Sequence, residues 1–311
     1  MKQGLVAIRR TSSVASHVWP LHCRAVLTAT IQQTCKYFPA AGPSSDDIHS
    51  ARRGLKKSRA LALLLRAHVT EADGAAIAVF DRVRKSLGVA RDLDVMGDTL
   101  VSLAPQIDAV LLAKLETALA DEKAGQVALA AVDPRKLRDD LQRQAALIEQ
   151  WSLLRADAAS IAREVRRTYK TALGRGLCAF EREDPEKLHT LRKAVVTFRY
   201  QVDALTPAWP KLFHATAAEA QHLRTLLGEH HDLATLAAFV AAREDLHGEH
   251  AVFAPLIAAR QSSLVRKAQT SFARLFGELP SAFESRVLAC LEHPKRKVKW
   301  TAAAQASHRK A

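Results

Sequence analysis

Two short runs of the chain carry cations at a spacing suited to holding phosphate groups. His49, Arg52, Lys56 and Arg59 follow one another at intervals of three and four. On a helix advancing about 100° per residue they fall within an arc of roughly 80°. Arg53 and Lys57 widen the flank of this stripe, while Ile48, Ala51, Leu55, Ala62 and Leu65 take the opposite side. In the second run His189, Arg192 and Arg199 share a face, with Lys193 and Tyr200 beside them. Leu188, Leu191, Val195, Phe198 and Val202 turn the other way. Arginine presents a planar fork to an oxyanion, and lysine a compact point charge. Histidine donates from its ring nitrogens and gains charge as pH falls. Neither run interleaves an acid at i+4 to relieve the repulsion, so each stripe costs stability unless an anion lies along it. The chemistry this pattern suits is the binding of a polyanion.

The two runs are copies. His49-Ser-Ala-Arg52-Arg53-Gly-Leu55 matches His189-Thr-Leu-Arg192-Lys193-Ala-Val195 at an offset of 140 residues. The same offset aligns Leu87-Gly88-Val-Ala-Arg91-Asp92-Leu93 with Leu227-Gly228-Glu-His-His231-Asp232-Leu233, and Arg84 with Arg224. An internal repeat of this kind predicts two similar halves, over about 13–135 and 136–295. A lead of residues 1–12 and a basic tail of 296–311 flank them. Further cations extend the candidate surface: Arg84 and Arg91 near the first Leu-Gly segment, Arg224 near the second, and Arg163 and Arg167 on a basic stretch that continues to Arg175. Gly88 and Gly228 read as helix stops, so that Asp92 and Asp232 cap the helices after them or orient a basic residue.

Helices must position these residues. Hydrophobic side chains make up 48% of the 311 residues, with only 12 glycines and 11 prolines, and aromatics reach just 5%. Strand-rich chains carry more β-branched and aromatic residues. Ser44 to Asp47 offer caps for a helix starting near Ile48, and Asp133-Pro134 and Asp184-Pro185 place a cap residue before a first-turn proline. About ten to twelve helices are expected, the first over 13–38, and no strand. The formal net charge is +14, and without the six cations from Lys295 onward the body keeps +8. Such an excess favours nucleic acid, an acidic membrane or a free phosphate polymer. No uncharged apolar run has the length of a membrane span, so no membrane partner is expected. Residues 1–45 lack acids, a bias shared with transit peptides. Cys23, Cys35, Cys178 and Cys290 show neither C-x-x-C nor zinc-finger spacing, and read as reduced thiols of a cytoplasmic protein.

The combination resembles the CHAD family, the conserved histidine α-helical domain. Its pattern is His, Arg three later, a basic residue seven later and Arg ten later, once in each half. His49, Arg52, Lys56 and Arg59 fit throughout. His189, Arg192 and Arg199 fit with Tyr200 following, but Val196 stands where a cation is usual. The resemblance covers about 13–295 and implies an all-α fold of two pseudo-twofold-related helical bundles with a basic groove or channel between them. It further implies binding of inorganic polyphosphate at polyphosphate granules; the leading reading is a binder without enzymatic activity, cofactor or metal. No Glu-x-Glu-x-Lys motif of a triphosphate-tunnel domain occurs, so a stand-alone member is expected. Two other functions compete. Nucleic acid could occupy the same cations non-specifically, because phosphate contacts do not identify the polymer. A metal-dependent phosphoanhydride hydrolase is disfavoured, because histidines among arginines make a poor cation site. The missing cation at Val196 also leads to the expectation that the half led by His49 binds more tightly.

Overall fold

A computed structural model describes residues 13–69, 71–87, 89–125, 133–182 and 184–292, and no strand occurs among them. The side chains of 13–17, 71–74, 89–92, 125 and 247 lie outside the description. Eleven α-helices follow in order: α1 Ser13–Cys35, α2 Ser45–Leu65, α3 Glu71–Ser86, α4 Val89–Leu103, α5 Ala109–Gly125, α6 Pro134–Glu149, α7 Ala158–Arg182, α8 Pro185–Ala204, α9 Pro210–Ala241, α10 His247–Leu275 and α11 Pro280–Glu292.

The helix starts obey local chemistry. Ser44 Oγ accepts from the Asp47 amide at 3.1 Å, and Asp47 Oδ2 accepts from the Ser44 amide at 3.0 Å. This reciprocal box satisfies two amide donors at the head of α2 and also holds the Asp47 carboxyl below its ordinary range. Asp133 and Asp184 cap α6 and α8, each ahead of a proline at the first turn. Pro210 and Pro280 also open α9 and α11, without a side-chain cap at Trp209. One glycine reading and two cap readings fail. Gly228 lies inside the unbroken α9, and Asp232 is a mid-helix residue that caps nothing. Asp92 likewise lies within α4 rather than ahead of it. Gly88 is outside the described residues.

Packing repeats between the two groups of helices. α1 packs on α2 and α6, α2 on α3, and α4 on α5. Further along the chain α7 packs on α8 and α11, α8 on α9, and α9 on α10. By its contacts α6 joins the first group, which carries that group past residue 135. The faces assigned from periodicity are the buried ones: Ala51, Leu55, Ala62 and Leu65 on α2, and Leu188, Leu191, Val195, Phe198 and Val202 on α8. Burying each large side chain contributes about 1.5–3 kcal/mol. One apolar cluster runs through both groups. Gly54 brings α1 and α2 together, because a Cβ there would lie 2.1 Å from Thr34 Oγ1. In the second group Tyr169 stacks on Phe283 at 4.3 Å, and Phe198 and Phe276 close around the ring. Its hydroxyl donates to the Glu278 carbonyl at 2.8 Å.

Polar contacts of Trp19, His22 and Arg24 fasten α1 to later parts of the chain. The Trp19 indole donates to the Leu291 carbonyl of α11 at 2.7 Å. His22 Nε2 lies 3.0 Å from the Ala204 carbonyl, and Arg24 donates to the Trp151 carbonyl at 2.9 Å. α2 and α8 pack directly on one another, where Gln201 Nε2 donates to the Ala60 carbonyl at 3.0 Å.

Candidate functional site

The cationic faces of α2 and α8 lie away from their buried faces, and each is tied to the helix that follows it. Arg52 Nη1 donates to the carbonyls of Arg84, at 3.2 Å, and Leu87, at 2.8 Å. The last carbonyls of a helix lack partners within it, so Arg52 closes the C-terminal end of α3. Arg59 Nε donates to Asp81 Oδ2 at 3.0 Å, and Arg84 Nε lies 3.6 Å from the other oxygen of that carboxylate. Lys57 reaches Asp203 of α8 at 3.7 Å. The acids missing from the stripe itself are therefore partly supplied by neighbouring helices.

The second copy keeps this frame and alters its chemistry. Arg192 reaches α9 at Gly228, where an added Cβ would meet the guanidinium at 3.3–3.6 Å. Glycine there provides for a side chain arriving from another helix, not for a helix stop. Arg199 Nη1 donates to Gln221 Oε1, and Gln221 stands at the position matching Asp81. The Gln221 amide in turn donates to Thr225 Oγ1 at 3.1 Å. The Arg199 guanidinium also lies 4.2 Å from the centre of the Tyr200 ring. Such a cation–π contact is worth roughly 0.5–2 kcal/mol and holds the guanidinium in place. Tyr200 itself is buried.

Both halves contribute charge around His189. Its ring stacks on that of His231 of α9, with centroids 4.0 Å apart. Burial pushes the His189 pKa down to about 4, helped by His231, Lys193 and Arg192 and by Lys56 from α2. Its Nδ1 is buried without a hydrogen-bond partner. At neutral pH the ring is uncharged, held so first by its burial and then by the basic groups around it. His49, the corresponding residue of α2, is exposed.

Other sequence candidates fare differently. Arg53 and Lys193 are exposed on their stripes, and Arg224 is half-buried on α9, one turn beyond Gln221. Arg91 belongs to α4, but its side chain lies outside the described residues. Arg163 is exposed on α7. Arg167 lies 3.4 Å from the buried Glu164, which also accepts from Arg66 at 3.2 Å. Arg66 directly follows α2, about 25 Å along the helix axis from His49. Arg167 is thus placed at the far end of the stripe, in an ion-pair cluster. Asp81, Gln221, His231 and Gly228 escaped notice as site residues, although Asp81 and Gln221 obey the same 140-residue offset as the cations. Among the described residues no cluster of three metal-ligating side chains occurs, and no helix is long and apolar enough to cross a membrane.

The comparisons with known proteins point to one family. The model of the CHAD domain matches residues 25–241. Among solved structures, the crystal structure of the CHAD domain from the plant Ricinus communis is similar, with 19% identity and a TM-score of 0.48. That match covers 95% of this chain and 98% of the plant one. No curated protein matches. With its family model spanning α2, α8 and α9, the helices that carry the duplicated stripe, the chain belongs to the CHAD family.

Proposed function

We propose that the chain binds inorganic polyphosphate without transforming it, as a polyphosphate-granule protein of the cytoplasm. On this reading the helices form two pseudo-twofold-related bundles, and the cationic faces of α2 and α8 line a basic groove that receives the polymer. The observation that carries the proposal is the meeting of charge at His189. Lys56 comes from one half, Arg192, Lys193 and His231 come from the other, and together they add to the depression of its pKa that burial begins. Basic side chains drawn toward one point from separate helices favour an anionic ligand. A flexible chain of phosphates, with about one charge per residue, satisfies such a cluster at every step.

Nucleic acid is the competing ligand. Single strands are held by stacking on aromatic side chains as well as by charge, but Tyr169 and Tyr200 are buried. The deciding measurement titrates labelled polyphosphate into the full chain across a range of salt, then competes with DNA and RNA at equal phosphate concentration. Steep salt dependence is expected from counterion release, together with retention of polyphosphate against excess nucleic acid. Displacement by nucleic acid would replace the polyphosphate reading with a general polyanion one. Release of orthophosphate on adding Mg²⁺ or Mn²⁺ would make the chain an enzyme.

A further inference from the structure

Four helices contact one another in a closed circuit. α2 packs on α8, where Gln201 donates to the Ala60 carbonyl at 3.0 Å. α8 packs on α9, with Arg199 donating to Gln221 and the His189 ring stacked on that of His231. α9 packs on α4. α4 returns to the head of α2, where Ser45 Oγ donates to Asp94 Oδ2 at 3.1 Å. Ser45 lies about 6 Å along the helix axis from His49, so α4 meets α2 at the start of its cationic stripe. Lys56, Arg192, Lys193 and the two stacked histidines all belong to helices of this circuit.

The two sides of the circuit are built differently. At the α2–α8 seam Ala60 and Gln201 are both buried. On the far side, α4 and α5 pack together as a hairpin, and α4 seats it on α9. Its other ties are polar and near solvent. Lys123 of α5 donates to Asp94 at 2.6 Å, and Lys114 of α5, 54% exposed, pairs with Glu249 of α10. Arg243, two residues past α9, donates to the Ala118 carbonyl at 3.2 Å while both oxygens of Asp245 hold its guanidinium at 3.0 Å. Exposed ion pairs hold weakly and are screened by salt. The hairpin joins α3 after Ser86, where Arg52 fixes the last carbonyls, so α3 has an anchor of its own.

We propose that the α4–α5 hairpin is a strap that lifts to admit polyphosphate and closes behind it, so that a linear polymer is encircled by α2, α4, α9 and α8. The proposal rests on the polyphosphate reading and deepens it by fixing the topology of binding. An encircled chain leaves only when the strap opens or when the polymer slides off an end. Release therefore slows as the polymer lengthens, even where the contacts within the ring are the same.

The test uses the full chain carrying Cys178→Ser, Lys114→Cys and Glu249→Cys, in which a short bis-maleimide ties α5 to α10. The remaining natural thiols, Cys23, Cys35 and Cys290, are buried. The ligand is long linear polyphosphate with a bulky protein stopper at each end. The untied chain should bind it as readily as unstoppered polymer. Tying before loading should slow capture of the stoppered polymer by at least about a hundredfold, because the gate no longer opens. Tying after loading should retain it in salt that strips the untied chain. If the tie also abolishes binding of unstoppered polymer, Lys114→Ala combined with Arg243→Ala decides: release of stoppered polymer should quicken by roughly tenfold, and unchanged release overturns the strap. Equal capture by tied and untied chains overturns it too, as does an untied chain that accepts only unstoppered polymer; both leave polyphosphate binding standing. Failure of the unaltered chain to bind any polyphosphate overturns both readings.

Discussion

Alongside α2 the polypeptide leaves its helix after Ser86 and begins another at Val89, whereas alongside α8 it runs on through Gly228 as the single α9. The two halves use the same arginine differently as a result. Arg52 is occupied with the open carbonyls at the end of α3, while Arg192 meets a helix whose backbone continues past it. The histidines differ in parallel: His49 is exposed, and His189 is stacked on His231 with its charge suppressed. One copy of the motif thus takes on a larger share of holding the fold. The other gathers basic side chains from both halves around His189. A duplicated site can divide its duties while its sequence signature stays the same.

The largest effect that would break this comparison comes from reversing charge where the halves meet. Lys56→Glu combined with Lys193→Glu should reduce polyphosphate affinity by at least about a hundredfold, as expected when several phosphate contacts are lost. The melting temperature should hardly change, because both lysines lie on the solvent side of their helices. A double variant that binds normally would mean that the cluster around His189 is not where the polymer lies.

Next in size is a contrast in stability. Arg52→Ala leaves the Arg84 and Leu87 carbonyls without their donor and should cost about 1–3 kcal/mol, read by chemical denaturation. Arg192→Ala should cost less, because α9 continues past it, while harming binding more. Equal losses of stability would show that the broken and unbroken helices place the same demand on their arginines. A subtler change adds bulk opposite Arg192. Gly228→Leu should displace the guanidinium and weaken binding by roughly tenfold with helix content retained, whereas Gly228→Ala needs only a small shift of a flexible side chain. Circular dichroism beside the titration separates displacement from unfolding.

The smallest expected effect is on proton traffic. With the His189 pKa near 4 in the folded chain and about 6.5 when unfolded, the unfolded state takes up the proton first as pH falls. The stability this provides is complete above about pH 6.5 and declines as pH drops toward 4. A bound polyanion offsets the charges of Lys56, Arg192, Lys193 and His231, so it should raise the pKa and make binding tighter by a few-fold between pH 6.5 and 5. Calorimetry in buffers of different ionisation enthalpy should then show proton uptake at pH 5.5. His189→Gln should remove most of it.

Much of this arrangement was legible in the sequence, because it depends on local rules. Helical periodicity separated Leu55 and Leu65 from Arg52 and Arg59, and the caps at Ser44, Asp133 and Asp184 follow from side chains able to reach nearby amides. The 140-residue offset identified equivalent cations before any coordinates. The failures share a cause. Gly228 resembles a helix stop unless the guanidinium arriving from α8 is known. Asp81 neutralises Arg59 from 22 positions away, and Asp203 meets Lys57 from the other half, so a stripe without acids of its own was read as more isolated than it is. Arg167 has the composition of a binding residue, but its partner Glu164 is buried at the opposite end of α2 from His49. Partnerships across the fold have no signature in a local window.

The bond from Trp19 to Leu291 sets an order of events for a chain emerging from the ribosome. α1 can meet α2 early, but the indole N–H finds its acceptor only after α11 has been made, 272 residues later. Until then the first helix carries a large aromatic ring whose polar edge lacks its native partner, and apolar surface of this kind is what chaperones and proteases recognise in incomplete chains. A product truncated before α11 would thus expose its defect at the opposite end of the polypeptide, so the last helix acts as a seal on the first.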